Sequence, residues 1–302
     1  MKNNLNLITG IEVGEPLFLR NLTLFPLTNG GKDFTRIEIL SEAKGKKLVE
    51  IRELETPKID TVLIKNNSPK RIFALDGEGI QGALQDRVIN SSALIAEKTE
   101  VEIPVSCVEA GRWSGGEEFF SQRAISYPSL RAIICSSVTS SLYRTKKFTS
   151  NQNQIWDSIK KKMERFKVNS RTSSIHDLYS SRQKYLASYK EGIKSLKNLN
   201  GLFVFCGERL LCLDLFGSKS LFNKLKEQLI TSYALDALEG ESSSPPGINR
   251  IKRLLIGIKE GEMRTFPSFS LGEEIRFETD ELTGRGLVFQ DSLIHLSAFP
   301  KS

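Results

Sequence analysis

The chain has 302 residues and a mass of 33.9 kDa, with 39 % hydrophobic and 26 % charged residues, as in ordinary globular proteins. No apolar run approaches the roughly 18 residues that a membrane span requires, and the first residues lack a secretory signal. We therefore expect a cytoplasmic protein without membrane contact. Four scattered cysteines without a CxxC pair and only two histidines exclude a disulfide scaffold and a zinc finger.

The net charge of +7 is concentrated in one part of the chain. Residues 141–200 contain 14 Lys and Arg against four Asp and Glu, so this segment carries +10 and the rest of the chain −3. Such a surface attracts phosphates or nucleic acid. A solvated, Lys-rich helical face is the alternative interpretation.

The first 140 residues are predicted to be mainly β structure, because short β-branched and apolar runs alternate with turn residues. The predicted strands cover residues 22–27, 36–40, 48–53, 61–64, 71–75, 87–89 and 101–108. Residues 37–49 would fit a helix equally well, and the pattern leaves both possibilities open.

Helices are predicted in the middle of the chain. Apolar residues recur at helical spacing over 155–166, 175–196 and 221–233, and a fourth helix is predicted to begin at Pro246 and Gly247. Residues 201–217 predict a strand pair that turns at Gly207, and the C-terminus returns to β structure over 274–278, 286–290 and 293–299.

These elements predict an α+β protein with a mixed, mainly antiparallel sheet at both ends of the chain and a helical middle segment. The ends are expected to come together. We expect one domain over residues 1–302, with possible subdomains at 1–145 (β-rich) and 146–302 (α+β).

The first candidate site is the polar segment Leu75 to Ser92 (LDGEGIQGALQDRVINSS). Its glycines match the bare spacing GxGxxG, but a strand rather than a helix is predicted to follow, so it is not a dinucleotide fingerprint. Glu78 is a candidate acid or base in this segment. The candidate ligand-binding side chains are three amides and one guanidinium: Gln81, Gln85, Asn90 and Arg87. The alternative is a polar hairpin whose amides satisfy their own backbone.

The second candidate site is Pro104 to Trp113 (PVSCVEAGRW), at the end of an alternating strand. Glu109 would act as a base or metal ligand, Arg112 would hold phosphate and Trp113 would stack on a ring. Cys107 is a secondary candidate, since a thiolate would need a base or positive charge beside it. A structural Glu109–Arg112 ion pair covered by Trp113 is the alternative.

The third group contains acids that border apolar stripes. Asp214 lies in LCLDLF, and Tyr233 and Asp236 lie in SYALDAL. Such carboxylates are costly unless they are paired. Together with Glu78 and Glu109 they would form an oxygen-rich site for Mg²⁺ or Mn²⁺; hydrogen bonding to amides or to an Arg is the alternative.

Six strings carry a resemblance to a known family. They are GEGIQGALQDRVINSS (77–92), IPVSCVEAGRW (103–113), HDLY (176–179), LDLFGS (213–218), SYALDAL (232–238) and LIHLSAF (293–299). The chain resembles the ARG and rhodanese-phosphatase-superfamily-associated protein domain family over nearly its whole length. The family name implies genomic company with ADP-ribosylglycohydrolases and phosphatases, and hence NAD metabolism or prokaryotic conflict systems.

Two classes of function follow as hypotheses. The first is a protein that acts on ADP-ribose or a related NAD-derived nucleotide by metal-assisted hydrolysis or transfer, with Glu78 and Glu109 as catalytic carboxylates. The second is a non-catalytic sensor that binds a nucleotide, or binds nucleic acid through residues 141–200. A scaffold for other proteins is a third class, without a specific feature in its favour.

Overall fold

The computed structural model of the protein describes residues 8–29, 36–115, 119–240 and 244–301. The strands are β1 (Glu12–Val13), β2 (Leu17–Leu19), β3 (Leu22–Thr28), β4 (Ile37–Ile39), β5 (Val49–Arg52), β6 (Thr61–Asn66), β7 (Arg71–Ala74), β8 (Glu78–Gly82), β9 (Arg87–Ile89), β10 (Ala93–Ile95), β11 (Glu100–Cys107), β12 (Phe119–Ile125), β13 (Gly201–Cys206), β14 (Arg209–Phe216), β15 (Glu262–Pro267), β16 (Glu273–Glu278), β17 (Leu282–Phe289) and β18 (Ser292–Pro300). The helices are α1 (Leu40–Gly45), α2 (Pro128–Thr145), α3 (Gln152–Arg165), α4 (Ile175–Ser181), α5 (Gln183–Ala187), α6 (Lys219–Ala237) and α7 (Ile248–Glu260), with a 3-10 helix at Glu191–Ser195.

The largest sheet has nine strands in the order β1-β3-β13-β14-β18-β17-β16-β15, with β2 paired to β3. All of its pairs are antiparallel; Phe203 lies opposite Phe25, and Leu213 opposite Ala298. The sheet therefore joins strands from both ends of the chain, as expected from the sequence. Because β3 pairs with β13, the two suggested subdomains share this sheet.

The other two sheets belong to the N-terminal half. Six antiparallel strands follow the order β12-β8-β9-β11-β6-β5, and β12 approaches β5, so the sheet curves around its own apolar core. The third sheet has the order β10-β7-β4, in which β4 and β7 are parallel. The predicted α+β class with mainly antiparallel sheets is confirmed.

The first 140 residues are mainly β structure as predicted, but helix α2, which begins at Pro128, was not predicted from the sequence. Proline at its first position favours a helix start, and Leu130, Ile134, Val138 and Leu142 are buried at intervals of four. Apart from Arg144 in the last turn, its exposed side carries small hydroxyl side chains instead of charges, so the amphipathic contrast in the sequence is weak. The helix packs against α3, α6, β14, β17 and β18.

The helices predicted at 155–166, 221–233 and from 246 are confirmed as α3, α6 and α7. The single helix expected over 175–196 is wrong, because the chain breaks into α4, α5 and the 3-10 turn. Arg182 leaves helical geometry (φ −109°, ψ 6°), and the Ser181 and Ser188 hydroxyls donate to carbonyls three residues earlier. Leu178, Leu186 and Ile193 remain buried across the breaks.

All predicted strands are present, and residues 37–49 contain both open possibilities, β4 followed by α1. No helix within the described ranges is long and apolar enough to cross a membrane.

Candidate functional site

The polar segment Leu75 to Ser92 contains the antiparallel β8–β9 hairpin, and its side chains bind other parts of the protein. Arg87 is fully buried and places its two terminal nitrogens 3.0 Å from the two carboxylate oxygens of Glu53. The guanidinium also lies near the rings of Phe119 (5.4 Å) and Trp113 (6.0 Å). Trp113 is 49 % exposed, whereas the bidentate face of Arg87 is occupied by Glu53.

The structure brings Gln85, Glu109 and Arg112 together at the hairpin turn. Gln85 Nε2 donates to the Glu109 carbonyl at 2.9 Å, and Arg112 Nη2 lies 2.7 Å from Glu109 Oε2. Burial alone would raise the pKa of Glu109, but the hydrogen bonds from Arg112 and from the Asp86 amide outweigh burial and lower it. This geometry matches the ion-pair alternative, which leaves Glu109 charged.

Glu78 lies apart from that cluster, at the start of β8 and opposite Ile125 of β12. Its Oε2 accepts a hydrogen bond from the Leu75 amide at 3.0 Å, and its Oε1 makes no hydrogen bond of normal geometry within the described residues. Burial raises the pKa of Glu78 to about 7. A carboxyl of this kind changes its charge near neutral pH.

The remaining candidates of the N-terminal half are spread along the strands. Asn90 donates to the Phe148 carbonyl at 3.0 Å and accepts from the Ser106 hydroxyl, whereas Gln81 is half-buried on β8 opposite Phe120. Cys107 is buried, and burial raises its thiol pKa to about 11, so the thiol stays protonated at neutral pH.

A cavity of about 750 Å³ lies beside the hairpin turn and is lined in part by Leu84 and Gly115. Its ionisable lining consists of four carboxylates and two cations: Glu53, Glu55, Glu100, Glu102, Arg52 and Lys58. The negative surplus disfavours a phosphate in this cavity.

Asp214 belongs to a fully buried charge network centred on Arg131 of α2. The Arg131 guanidinium donates to both Asp214 oxygens at 2.7 and 2.8 Å and to Asp76 Oδ2 at 3.0 Å. Burial alone would raise the pKa of both aspartates, but Arg131 and His295, joined by Arg285 at Asp76, together outweigh burial and lower both pKa values. The Tyr233 hydroxyl donates to Asp214 at 2.7 Å.

The network continues through the nine-stranded sheet. His295 Nε2 lies 3.1 Å from Asp214, and its Nδ1 lies 3.3 Å from Asp76. Arg285 binds Asp76 at 3.2 Å and also Glu274, which pairs with Arg276 at 2.8 Å. Every one of these side chains is buried, so the network holds α2 and the loop before β8 against β14, β16, β17 and β18.

Asp236 belongs to a third cluster, at the N-terminus of α2. Its Oδ2 accepts the Ser129 amide at 2.7 Å, and its Oδ1 accepts the Ser129 hydroxyl at 2.9 Å. The buried Lys162 ammonium of α3 lies 2.7 Å from the same Oδ1 and 2.7 Å from Glu239 Oε2. Three helices thus bring a hydroxyl and an ammonium to the same carboxylate.

Ser129 is exposed at the meeting point of two cavities, of about 560 and 440 Å³. Both cavities are lined by Ser129, Ile133 and Ser136, and together they form what we call the α2 groove. Its ionisable lining consists of six cations and five carboxylates: Lys161, Lys162, Arg165, Arg209, Arg250, Lys301, Asp157, Glu208, Asp236, Glu239 and Glu281.

The structure does not gather the acids that were predicted to share a metal. Glu78, Glu109, Asp214 and Asp236 bind different partners, and the described residues contain no group of three or more His, Cys, Asp or Glu suited to a metal ion. Tyr233 and Asp236 lie on one helix but contact different clusters.

Sequence reasoning identified Asp236 but missed Ser129 and Lys162. Lys162 carried a signal, because it falls on the apolar stripe of α3 together with Ile155, Ile159 and Met163. Ser129 carried none, since a serine after a proline is typical of any helix start.

Comparison with known proteins agrees with the strings described above. Searches of curated proteins and of solved structures found no match. The family model for the ARG and Rhodanese-Phosphatase-superfamily-associated Protein domain matches residues 10–299, which covers almost the whole chain. The chain therefore belongs to the ARG and Rhodanese-Phosphatase-superfamily-associated Protein domain family.

Proposed function

We propose that the protein binds a phosphate-bearing nucleotide of the ADP-ribose or NAD class in the α2 groove. The observation that carries this proposal is the exposed Ser129, whose hydroxyl binds Asp236, itself bound to the buried Lys162, where two cavities join. Concave sites with a few convergent polar groups are typical of small-molecule binding.

Charge favours the α2 groove over the cavity beside the hairpin. The groove lining has one more cation than carboxylates, whereas the hairpin cavity has two more carboxylates than cations. Lys161, Lys162 and Arg165 of the lining come from the basic segment 141–200, so part of that segment's charge faces a cavity. An anionic ligand would gain from this arrangement.

The volumes agree with a ligand of this class. Small-molecule sites usually occupy about 300–1,000 Å³, and each half of the groove falls within that range. Ile133 and the apolar stems of the lining would cover a base, while Lys161 and Arg165 would contact phosphate.

Isothermal titration calorimetry with ADP-ribose, NAD and inorganic phosphate tests the proposal. We expect ADP-ribose to bind, and Lys161→Glu or Arg165→Glu to weaken binding by about tenfold, or about 1.4 kcal/mol, since each reversal places a negative charge beside phosphate. Lys160→Glu is the matched control, because Lys160 is exposed on the same helix and does not line either cavity. Equal affinities in all three variants, or no binding by the wild-type chain, would refute the proposal.

A second candidate function is nucleic-acid binding, since Lys146, Lys147, Lys160 and Lys167 are exposed on the basic segment beside the groove. Phosphate-backbone binding weakens steeply with salt. Fluorescence anisotropy with a short single-stranded RNA would show this salt slope if the second function is correct, and a salt-independent signal would exclude it.

A further inference from the structure

We infer that Ser129 is a nucleophile that cleaves a phosphate anhydride, with Asp236 as the group that accepts its proton. This inference rests on the proposed function, because the anhydride would be the pyrophosphate link of the nucleotide bound in the α2 groove. The proposed function concerns binding alone, whereas this inference assigns a reaction to the α2 groove and names the substrate bond that is cleaved.

The hydroxyl proton of Ser129 points towards Asp236. A serine hydroxyl has one proton and two lone pairs, and an ionised carboxylate only accepts hydrogen bonds. The Oγ proton is committed to Asp236 Oδ1 at 2.9 Å, and the backbone amide holds the other oxygen at 2.7 Å. Two bonds to one carboxylate fix its orientation, and the exposed Oγ lone pairs remain available to a ligand in the groove.

Lys162 lies beside Asp236. Its ammonium lies 2.7 Å from the Asp236 oxygen that accepts the Ser129 hydroxyl, and 4.4 Å from the centre of the Tyr127 ring. A buried ammonium in this position compensates the carboxylate charge next to the approaching phosphate. Together with Lys161 and Arg165 it also provides positive charge where negative charge develops on the phosphoryl oxygens.

The side chains that line the groove indicate which class of substrate bond is cleaved. Among the described residues that line the groove there is no histidine, because His295 belongs to the Arg131 network and His176 to α4. The Asp236 carboxylate accepts the serine proton, while the ammonium and guanidinium groups of the lining act on the phosphate as positive charges. A phosphate leaves an anhydride as a stable anion without protonation, whereas an alkoxide leaving an ester needs a proton. The geometry thus favours an anhydride over a phosphate ester.

The reaction takes two steps. Ser129 Oγ attacks one phosphorus of the pyrophosphate, its proton passes to Asp236 Oδ1, and the bridging P–O bond breaks with its electron pair leaving on the departing nucleoside or sugar phosphate. Water then attacks the phosphorus of the seryl ester, the P–Oγ bond breaks and Oγ regains the proton from Asp236. The two protons of the attacking water stay on product phosphate oxygens or pass to solvent. The products from ADP-ribose are AMP and ribose 5-phosphate.

The test uses the full chain, ADP-ribose as the probe, and the variants Ser129→Ala and Ser220→Ala. Ser220 is the matched control, because it is exposed at the second position of α6 as Ser129 is in α2, and it does not line the groove. Release of AMP is followed by chromatography, affinity by calorimetry, and an acid-quenched adduct on Ser129 by peptide mass spectrometry. Ser129→Ala keeps the hydrogen bond from the backbone amide of residue 129 to Asp236. The melting temperature of this variant is the check that it folds.

We expect Ser129→Ala to lower AMP release by at least about a hundredfold with unchanged ADP-ribose affinity, and Ser220→Ala to match the wild type. An adduct that maps to Ser129 would support the same mechanism. AMP release by Ser129→Ala within about threefold of the wild type overturns the inference. Binding without AMP release also overturns it and leaves the proposed function intact, whereas absence of binding overturns both.

Discussion

At the residue scale, Arg131 determines how the centre of the molecule is held together. It has no exposed surface, and its two carboxylate partners, Asp76 and Asp214, come from opposite halves of the chain. Breaking a buried ion pair by removing one partner leaves an uncompensated charge and typically costs about 3–5 kcal/mol.

We therefore expect Asp214→Asn to lower the free energy of unfolding by about 3–5 kcal/mol, measured by urea denaturation at neutral pH. Glu227→Gln is the matched control, because Glu227 pairs with Lys190 at 2.8 Å on the surface, where an ion pair contributes about 0–1 kcal/mol. Similar losses in the two variants would show that the Arg131 network does not stabilise the fold.

Glu78 gives a pH-dependent prediction. Its pKa is raised from 4.5 to about 7 by burial, so between these values the folded state binds more protons than the unfolded state. The carboxyl therefore reduces stability as the pH rises through this window, by up to about 3 kcal/mol.

Glu78→Gln removes this titration and retains an acceptor for the Leu75 amide. Relative to the wild type, the variant should gain stability from pH 5 to pH 8, by up to about 3 kcal/mol in urea denaturation. A difference between variant and wild type that is the same at both pH values would contradict this account of Glu78.

At the scale of elements, α2 carries most of what the sequence did not reveal. The strands were predictable because short β-branched and apolar runs alternate with turn residues, and α3 because its stripe contrasts with charged neighbours. In α2 the buried face includes Arg131 and Thr139, and the exposed face consists mainly of serines. The two faces therefore do not differ clearly in polarity. Burial of Arg131 depends on Asp76 and Asp214, which are distant in sequence.

The candidate site was predictable only in part for the same reason. Asp214 and Asp236 attracted attention because carboxylates in apolar runs need partners, and the structure provides them. Their partners depend on the packing of α2 against α3 and α6. The spacing of residues along the chain does not predict that packing.

The fit of α2 against the hairpin segment gives the prediction at this scale. Gly77 has φ +79°, and a Cβ there would lie 2.7 Å from Arg131 Cγ and 2.9 Å from Cδ. Since Arg131 is held by two aspartates, Gly77→Ala combines backbone strain with overpacking and should cost about 2–4 kcal/mol in urea unfolding. Gly45→Ala is the control, because a Cβ there meets no atom within 4 Å and its φ is not left-handed, so we expect no loss. Equal losses would exclude steric contact with Arg131 as the cause.

At the scale of the whole molecule, strand pairing and buried charge both join the two halves of the chain. β3 pairs with β13, Asp76 binds Arg285, and Arg131 binds Asp214. Because these contacts bridge residue 145, we expect the chain to unfold in one cooperative transition.

The two tryptophans allow a direct test, since Trp113 follows β11 and Trp156 lies in α3. In the single-tryptophan variants Trp156→Phe and Trp113→Phe, fluorescence reports on each region separately. We expect both variants to give fluorescence transitions that coincide with their own far-ultraviolet circular dichroism transitions. Fluorescence transitions displaced from the circular dichroism transition in either variant would show two independently unfolding subdomains.

The central claim is that the ligand site lies at the α2 groove and not at the β8–β9 hairpin. Hydrogen–deuterium exchange with and without ADP-ribose tests it most directly, because peptides from the two regions are read in one experiment. The account predicts slower exchange in peptides that cover residues 129–136 and 154–165, with residues 78–90 and 109–115 unchanged. Protection confined to the hairpin and to residues 109–115 would contradict it and would place the site at the polar segment.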